Sequence, residues 1–230
     1  AAAWGAAALA AAWTGLRPAR AQGHTDRPLR VILPLSAGSG ADGAIRAISA
    51  SLAKALGQPV VIENLPGAGG ITGTAQIVRA PKDGSVIGVV SNNHVVNPSV
   101  YRNIPFDSLA DITPITILGA TPFVLVAHPA VPAANVRELI AYAKARPGVL
   151  NYGSGGNGTI LHLGAAMFVD QAQLAIQHIP YKGMGPLMND VLGGQVQLAV
   201  VAVAPAAAHI KSGALRAIGV TTATRVPSLP

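Results

Sequence analysis

The chain has 230 residues, half of them hydrophobic and 11% charged, with a net charge of +7 and no cysteine. This length and apolar share exclude a disordered chain, and the missing cysteines exclude disulfides, zinc–thiolate and iron–sulfur sites and a thiol nucleophile. The histidines, His24, His94, His128, His162, His178 and His209, form no HxxxH pair, and the basic residues form no adjacent run, so no metal, cofactor or nucleic acid is expected.

Residues 1–13 are a run of small apolar residues too short to cross a bilayer, and Ala19-Arg20-Ala21 follows as an A-x-A cleavage pattern. A secretory signal over residues 1–22 is expected, read as truncated because no basic segment precedes it, with no stable membrane insertion after cleavage. Trp4 and Trp13 would leave with it, and three Phe and four Tyr are a poor stock for stacking on bases or sugar rings.

From Leu29 onward, β-branched runs alternate with helical patterns, which predicts an α/β fold with parallel-rich sheets. Strands are expected at 29–35, 59–63, 86–90, 114–118, 122–127, 149–152, 176–179, 196–203 and 215–220. Ile45, Ile48, Leu52 and Leu56 recur at helical spacing before Gly57 and Pro59. A second helix starts at Asn135, with Glu138 as capping-box partner, and stops at Arg146-Pro147-Gly148. Two more are expected at Pro186–Leu192 and Pro205–Lys211. The order strand, glycine-rich turn, helix, strand at 29–63 returns at 149–179, which predicts two lobes. The first is expected over 27–118, with 219–230 returning to it, and the second over 122–216. Stretches 114–127 and 215–222 would carry the chain across and back. The chain then ends in mid-connection, so part of the first lobe is expected to lie beyond it.

Three glycine-rich loops, 36–43, 66–73 and 153–159, each precede a helix. Glycines admit a ligand close to the backbone, and helix N-termini favour anions, so these loops are candidate anion sites as well as tight turns. Gly38-Ser39-Gly40-Ala41-Asp42-Gly43 also reads G-x-G-x-x-G, with Glu63 twenty residues on, which keeps a nucleotide-binding enzyme as an alternative. Against it, Asp42 puts negative charge where a pyrophosphate would lie. No G-x-S-x-G or Walker motif occurs, and Ser36, Ser39 and Ser154 have no base partner by spacing.

The segments RPLRVILPLSAGSGAD, QPVVIENLPGAGGITG, APKDGSVIGVVS, NPSVY, LNYGSGGNGT, IPYKG and DVLGGQV together resemble the Bug-type (TctC) extracytoplasmic receptors of tripartite tricarboxylate transporters, from about residue 27 to the end. The resemblance implies a type II-like periplasmic-binding-protein fold with two crossing hinge strands. It also implies a periplasmic protein of a Gram-negative bacterium that closes on a small mono-, di- or tricarboxylate and has membrane transporter subunits as partners. A sensing subunit for a membrane signalling partner fits the same lobes, and neither reading involves catalysis. The loops matching Leu35–Asp42 and Ser154–Thr159 would face each other across the cleft. This makes Ser36, Gly38, Ser39, Gly40, Asp42, Ser154, Gly156, Asn157, Gly158 and Thr159 the main ligand-binding candidates, with Ser91, Asn92, Lys182 and Asp190 beside them. Lys182 would pair with a distal carboxylate or stay solvated. Met184 and the apolar run Leu198–Val203 depart from the polar residues usual in the family, which puts side-chain selectivity in question. His162 reads as a capping or packing residue, Glu63-Asn64 as an organiser of the adjacent turn, and Tyr101 as packing.

Overall fold

The computed structural model describes residues 27–229, and the expected signal segment lies outside them. Strand β1 (Leu29–Leu33) is the centre of a parallel three-stranded sheet, between β2 (Val60–Asn64) and β3 (Val86–Gly88). Leu29, Val31 and Leu33 alternate onto one face and pack against Ile45 and the half-buried Leu52 of α1 (Gly40–Leu56). Ser39 caps α1 by accepting the Asp42 N–H, and Gly57, at φ 68°, ends it in the left-handed conformation. Ile48 and Leu56, which share the periodic pattern, are 40% and 46% exposed, so the packed stripe is narrower than the sequence suggests. A 3-10 turn over Ala68–Gly70 leads into α2 (Ile71–Arg79). Helix α3 (Asn93–Val100) has no counterpart among the expected elements because Pro98 lies inside it. A proline there removes one backbone donor, a loss that a short helix tolerates when its side chains are held elsewhere.

The second sheet runs β6-β5-β7-β4-β8. Its strands are β4 (Phe123–Ala127), β5 (Asn151–Ser154), β6 (Gln177–Pro180), β7 (Leu198–Ala202) and β8 (Arg216–Val220). β6, β5 and β7 are parallel, while β4 is antiparallel to both β7 and β8. Four helices accompany the sheet: α4 (Val136–Ala145), α5 (Ile160–Gln171), α6 (Met184–Leu192) and α7 (Val203–Lys211). The apolar run of β7 is buried on both faces. Leu198 and Val200 join Ala127 and Leu139 on one side, and Ala199 and Val201 join Val124, Val126 and Leu187 on the other. This explains the departure noted at Leu198–Val203: the run is core, and each fully buried Val or Leu contributes about 1.5–3 kcal/mol.

Three expectations are corrected. The stretch 114–118 joins no ladder, and Ile115 and Ile117 are 79% and 88% exposed. Helices α6 and α7 begin at Met184 and Val203, two residues before Pro186 and Pro205, because a first-turn proline gives up an N–H that has no intrahelical acceptor anyway. Within the tail expected to return to the first lobe, Val220, Val226 and Leu229 pack on the second-sheet cluster that contains Val124 and Val201. Asn135 caps α4 as expected, its side chain accepting the Glu138 N–H at 3.0 Å, while the Glu138 carboxylate reaches back to the Ala134 N–H and to Asn135 Nδ2, each at 2.7 Å, instead of to the Asn135 backbone N–H of a capping box.

Candidate functional site

The loops after β1, β5 and β6 leave the carboxyl ends of parallel strands, where helix N-termini and their unpaired amides gather. The loop after β1 is braced from within. Gly38, at φ 78°, donates its N–H to the Asp42 carboxylate at 3.0 Å, and Asp42 also accepts from Arg46 at 2.9 Å and Asn64 at 3.0 Å. Asn64 donates as well to the Leu35 carbonyl at 3.1 Å, so it organises this turn as its sequence position implied. Burial opposes ionisation of Asp42, but the hydrogen bonds from Arg46, Gly38 and Asn64 prevail and hold its carboxyl below the usual range. Asp42, only 4% exposed, is thus a brace of the loop, with its carboxylate turned inward rather than to a ligand. Gly40 and Ala41 at the start of α1 have no acceptor among the described residues. Gly40 lies where a Cβ would stand 3.1 Å from the Ala202 Cβ, so the start of α1 abuts the start of α7.

The loop after β5 is held the same way. Ser154 is fully buried. Its Oγ accepts the Gly156 N–H at 3.3 Å and lies 3.1 Å from the Gly156 carbonyl and 2.7 Å from His178 Nε2. It therefore supports the loop from behind, which corrects its expected place as a direct carboxylate donor, and His178 is the base partner that spacing in the sequence did not show. Thr159 caps α5: its Oγ1 accepts the His162 N–H at 3.3 Å and donates to the Gly156 carbonyl at 2.9 Å. The Gly158 N–H donates to His162 Nδ1 at 3.1 Å, and Gly156 and Gly158 both take positive φ.

Both loops meet the loop after β6 at the start of α6. Ser36 Oγ accepts the Met184 N–H at 2.9 Å, and Gly155 lies within van der Waals reach of Met184 Sδ and Gly183. Asn93 Oδ1 accepts the Ile160 N–H at 2.8 Å, and the Tyr101 hydroxyl donates to the Asn157 carbonyl at 2.7 Å. Among the described residues, the first sheet and its helices thus close on the second through three hydrogen bonds, each at a glycine-rich loop or a helix N-terminus. Tyr101, read from sequence as packing, is one of the three.

The outlying candidates are not gathered here. The Ser91 hydroxyl accepts the Asn93 N–H at 3.3 Å and shapes the start of α3, while Asn92 is exposed and makes no side-chain cap. Lys182 is exposed. The Asp190 carboxylate accepts the Tyr181 hydroxyl at 2.7 Å, bracing α6 against the end of β6 instead of facing the loops. Burial first, then the Asp190 carboxylate, pushes the Tyr181 hydroxyl up to about 12. Sequence reasoning missed Asn93, His178 and Met184. The spacing of Asn93, Asn97 and Tyr101, one and two helical turns apart, was the available signal for the first, and Pro98 obscured it. Among the described residues, no group of three or more His, Asp or Glu side chains could hold a metal, and no helix is long and apolar enough to cross a membrane.

Residues 44–230 match the model of the tripartite tricarboxylate transporter family receptor, TctC. Protein BugT of Bordetella pertussis is 34% identical over 215 residues, which cover 93% of this chain and 66% of BugT. The chain spans about two thirds of the length of the curated relatives it matches. Among solved structures, the periplasmic binding protein BugD is 34% identical with a TM-score of 0.82, over 89% of this chain and 70% of that one. An R. palustris protein with adipate is 30% identical with a TM-score of 0.83, over 87% and 67%. MatC from Rhodopseudomonas palustris with bound malate is 26% identical with a TM-score of 0.81, over 89% and 71%. The fold is that of the periplasmic binding proteins: two α/β lobes with parallel-rich sheets.

Proposed function

Because the chain belongs to the tripartite tricarboxylate transporter receptor family, we propose that it captures a small organic carboxylate between its two lobes in the periplasm and presents it to the membrane subunits of such a transporter. What carries this reading is the meeting of the loops after β1, β5 and β6 at the seam, where Ser36 reaches Met184 and Gly155 lies against the start of α6. These loops offer backbone amides and hydroxyls, and their one hydroxyl–imidazole pair, Ser154 with His178, is fully buried behind the loop at Ser154, a set suited to holding a carboxylate without reacting with it. Gly40 and Ala41 are the first-lobe amides open to such an oxygen. From the second lobe the amides of Gly155 and Asn157 would receive it, since those of Gly156, Gly158, Thr159 and Met184 already have acceptors. The relatives' ligands, malate in MatC and adipate in the R. palustris protein, are both linear dicarboxylates, which makes that class the first to test. The absence of tryptophan from the mature chain is consistent with weak binding of sugars.

A thermal-shift screen of the protein against mono-, di- and tricarboxylates, neutral sugars and nucleotides tests the proposal. A ligand at a hundred times its dissociation constant adds about 2.7 kcal/mol to stability, a shift of several degrees. The expected result is a shift with at least one carboxylate and none with sugars or nucleotides. Stabilisation by a sugar alone, or turnover of the bound carboxylate, would overturn it.

A further inference from the structure

We infer that His162 and His178 are positioning residues for loop 153–159, and that the loop keeps its anion-receiving shape only while both imidazoles are neutral. The part that concerns ligand affinity rests on the carboxylate-receptor reading above, whereas the part that concerns the loop does not.

Each ring holds one end of the loop. His162 Nδ1 accepts the Gly158 N–H, so its lone pair must be free and its proton must sit on Nε2. His178 Nε2 contacts Ser154 Oγ at 2.7 Å, and the same oxygen accepts the Gly156 N–H. The two rings stack on each other with centroids 4.0 Å apart at 26°, and Tyr152 stacks on His178 at 4.9 Å. A second proton on His162 would point an N–H at the Gly158 N–H, replacing an accepted hydrogen bond with two facing donors. On His178 it would place a cation against the neighbouring imidazole.

Among the described residues, no carboxylate pairs with either ring. His178 on β6 is faced by His162 from α5 and Tyr152 from β5. Tyr101 and Val100 of the first lobe reach only as far as Gly158, and the acid on α5, Asp170, lies two turns beyond His162 beside Tyr152 on an open surface depression. Burial, and then the charge of His162, lowers His178 to about 4, and burial lowers His162 as well. Protons therefore enter this stack only as the medium turns acid. When they do, a proton on His162 removes the acceptor of the Gly158 N–H, while a proton on His178 enters at Nδ1, since Nε2–H already serves Ser154, and strains the loop by setting a cation against the His162 ring.

The test follows the backbone amides of Gly156 and Gly158 in 15N-resolved spectra of the ligand-free protein from pH 8 to 3, alongside the ring Cε1–H signals of the histidines. In the wild type the two amides are expected to move with the midpoints of His162 and His178. His162→Asn keeps an acceptor at the Nδ1 position and His178→Gln keeps a donor at the Nε2 position, and neither side chain titrates. In these variants the loop should persist at neutral pH and its amides should stop responding to acid. Calorimetry with adipate and malate at pH 7.5 and 4 supplies the second arm, in which ligand protonation cancels between proteins. Affinity in the wild type should fall at least threefold more than in the double variant. Amides that stay fixed in the wild type, or that titrate identically in the variants, would overturn the inference. If neither dicarboxylate binds at any pH, the dicarboxylate test of the receptor proposal has failed, and the amide titration still decides the role of the histidines.

Discussion

At Gly158 the backbone stands at φ 71°, and a Cβ built there would collide with Val100 Cγ1 on the opposite lobe. Gly158→Ala therefore adds about 1 kcal/mol of local backbone strain and also obstructs the closed seam. Affinity for the best ligand from the screen should fall at least tenfold by calorimetry, with the melting temperature lowered by only a few degrees. Wild-type affinity would show that the lobes do not need this approach. The titration of His178 gives a second expectation. Its folded-state value of about 4 lies below the ordinary value of about 6.5, so between those pH values the unfolded chain binds more protons than the folded one. Its contribution to stability is thus complete above pH 6.5 and is lost as pH falls towards 4. The urea midpoint should drop across that window, and less so in His178→Gln. Local signals made some of these roles legible in the sequence. Thr159 precedes a helix and caps it, and Asn64 follows a strand and ties the next turn. His178 was not legible, because its partner Ser154 lies 24 positions away and only the pairing of β5 with β6 brings the two together.

Helices α5 and α6 show how an element of one lobe depends on the other. Gly183 gives α6 no side-chain cap, and Ser36 supplies one from the first lobe, while Asn93 accepts the first amide of α5. Removing a cap costs about 0.5–2 kcal/mol, and here the cost falls only on the closed state, since an open cleft gives these amides to water. Ser36→Ala should therefore shift the ligand-free protein towards the open form by about two- to thirtyfold, read as the distance between spin labels on α1 and α4, with little change in far-ultraviolet circular dichroism. An unchanged distance distribution would mean that the contact does not hold the lobes together. The helices themselves were largely legible, because Ser39, Asn135, Gly57 and Gly148 punctuate them in sequence. The antiparallel direction of β4 was not. Its apolar run reads the same either way, and its direction is set by the pairings with β7 and β8.

At the scale of the molecule, the two-lobe layout was legible because strand, glycine-rich turn and helix recur. The seam was not, because it is built from pairs 56, 67 and 148 residues apart. That seam is closed by the protein's own hydrogen bonds, so a ligand has to enter while it is open. Asn93→Ala with Tyr101→Phe removes two of the three contacts without touching a candidate ligand group. At about 0.5–1.5 kcal/mol each, their loss lowers the closed-to-open ratio by roughly five- to a hundred-and-fiftyfold. Where the contacts are present in both the free and the bound closed states, their removal affects the two alike. If the ligand-free protein is mostly closed, the variant should bind the best ligand from the screen faster and release it faster by similar factors, with an equilibrium constant within about threefold of wild type. Stopped-flow measurements of both rates distinguish the possibilities. Parallel acceleration of association and release would identify a latch that closes the empty receptor. Faster release with unchanged association would show that the empty receptor is already open and that the bonds belong to the bound state alone.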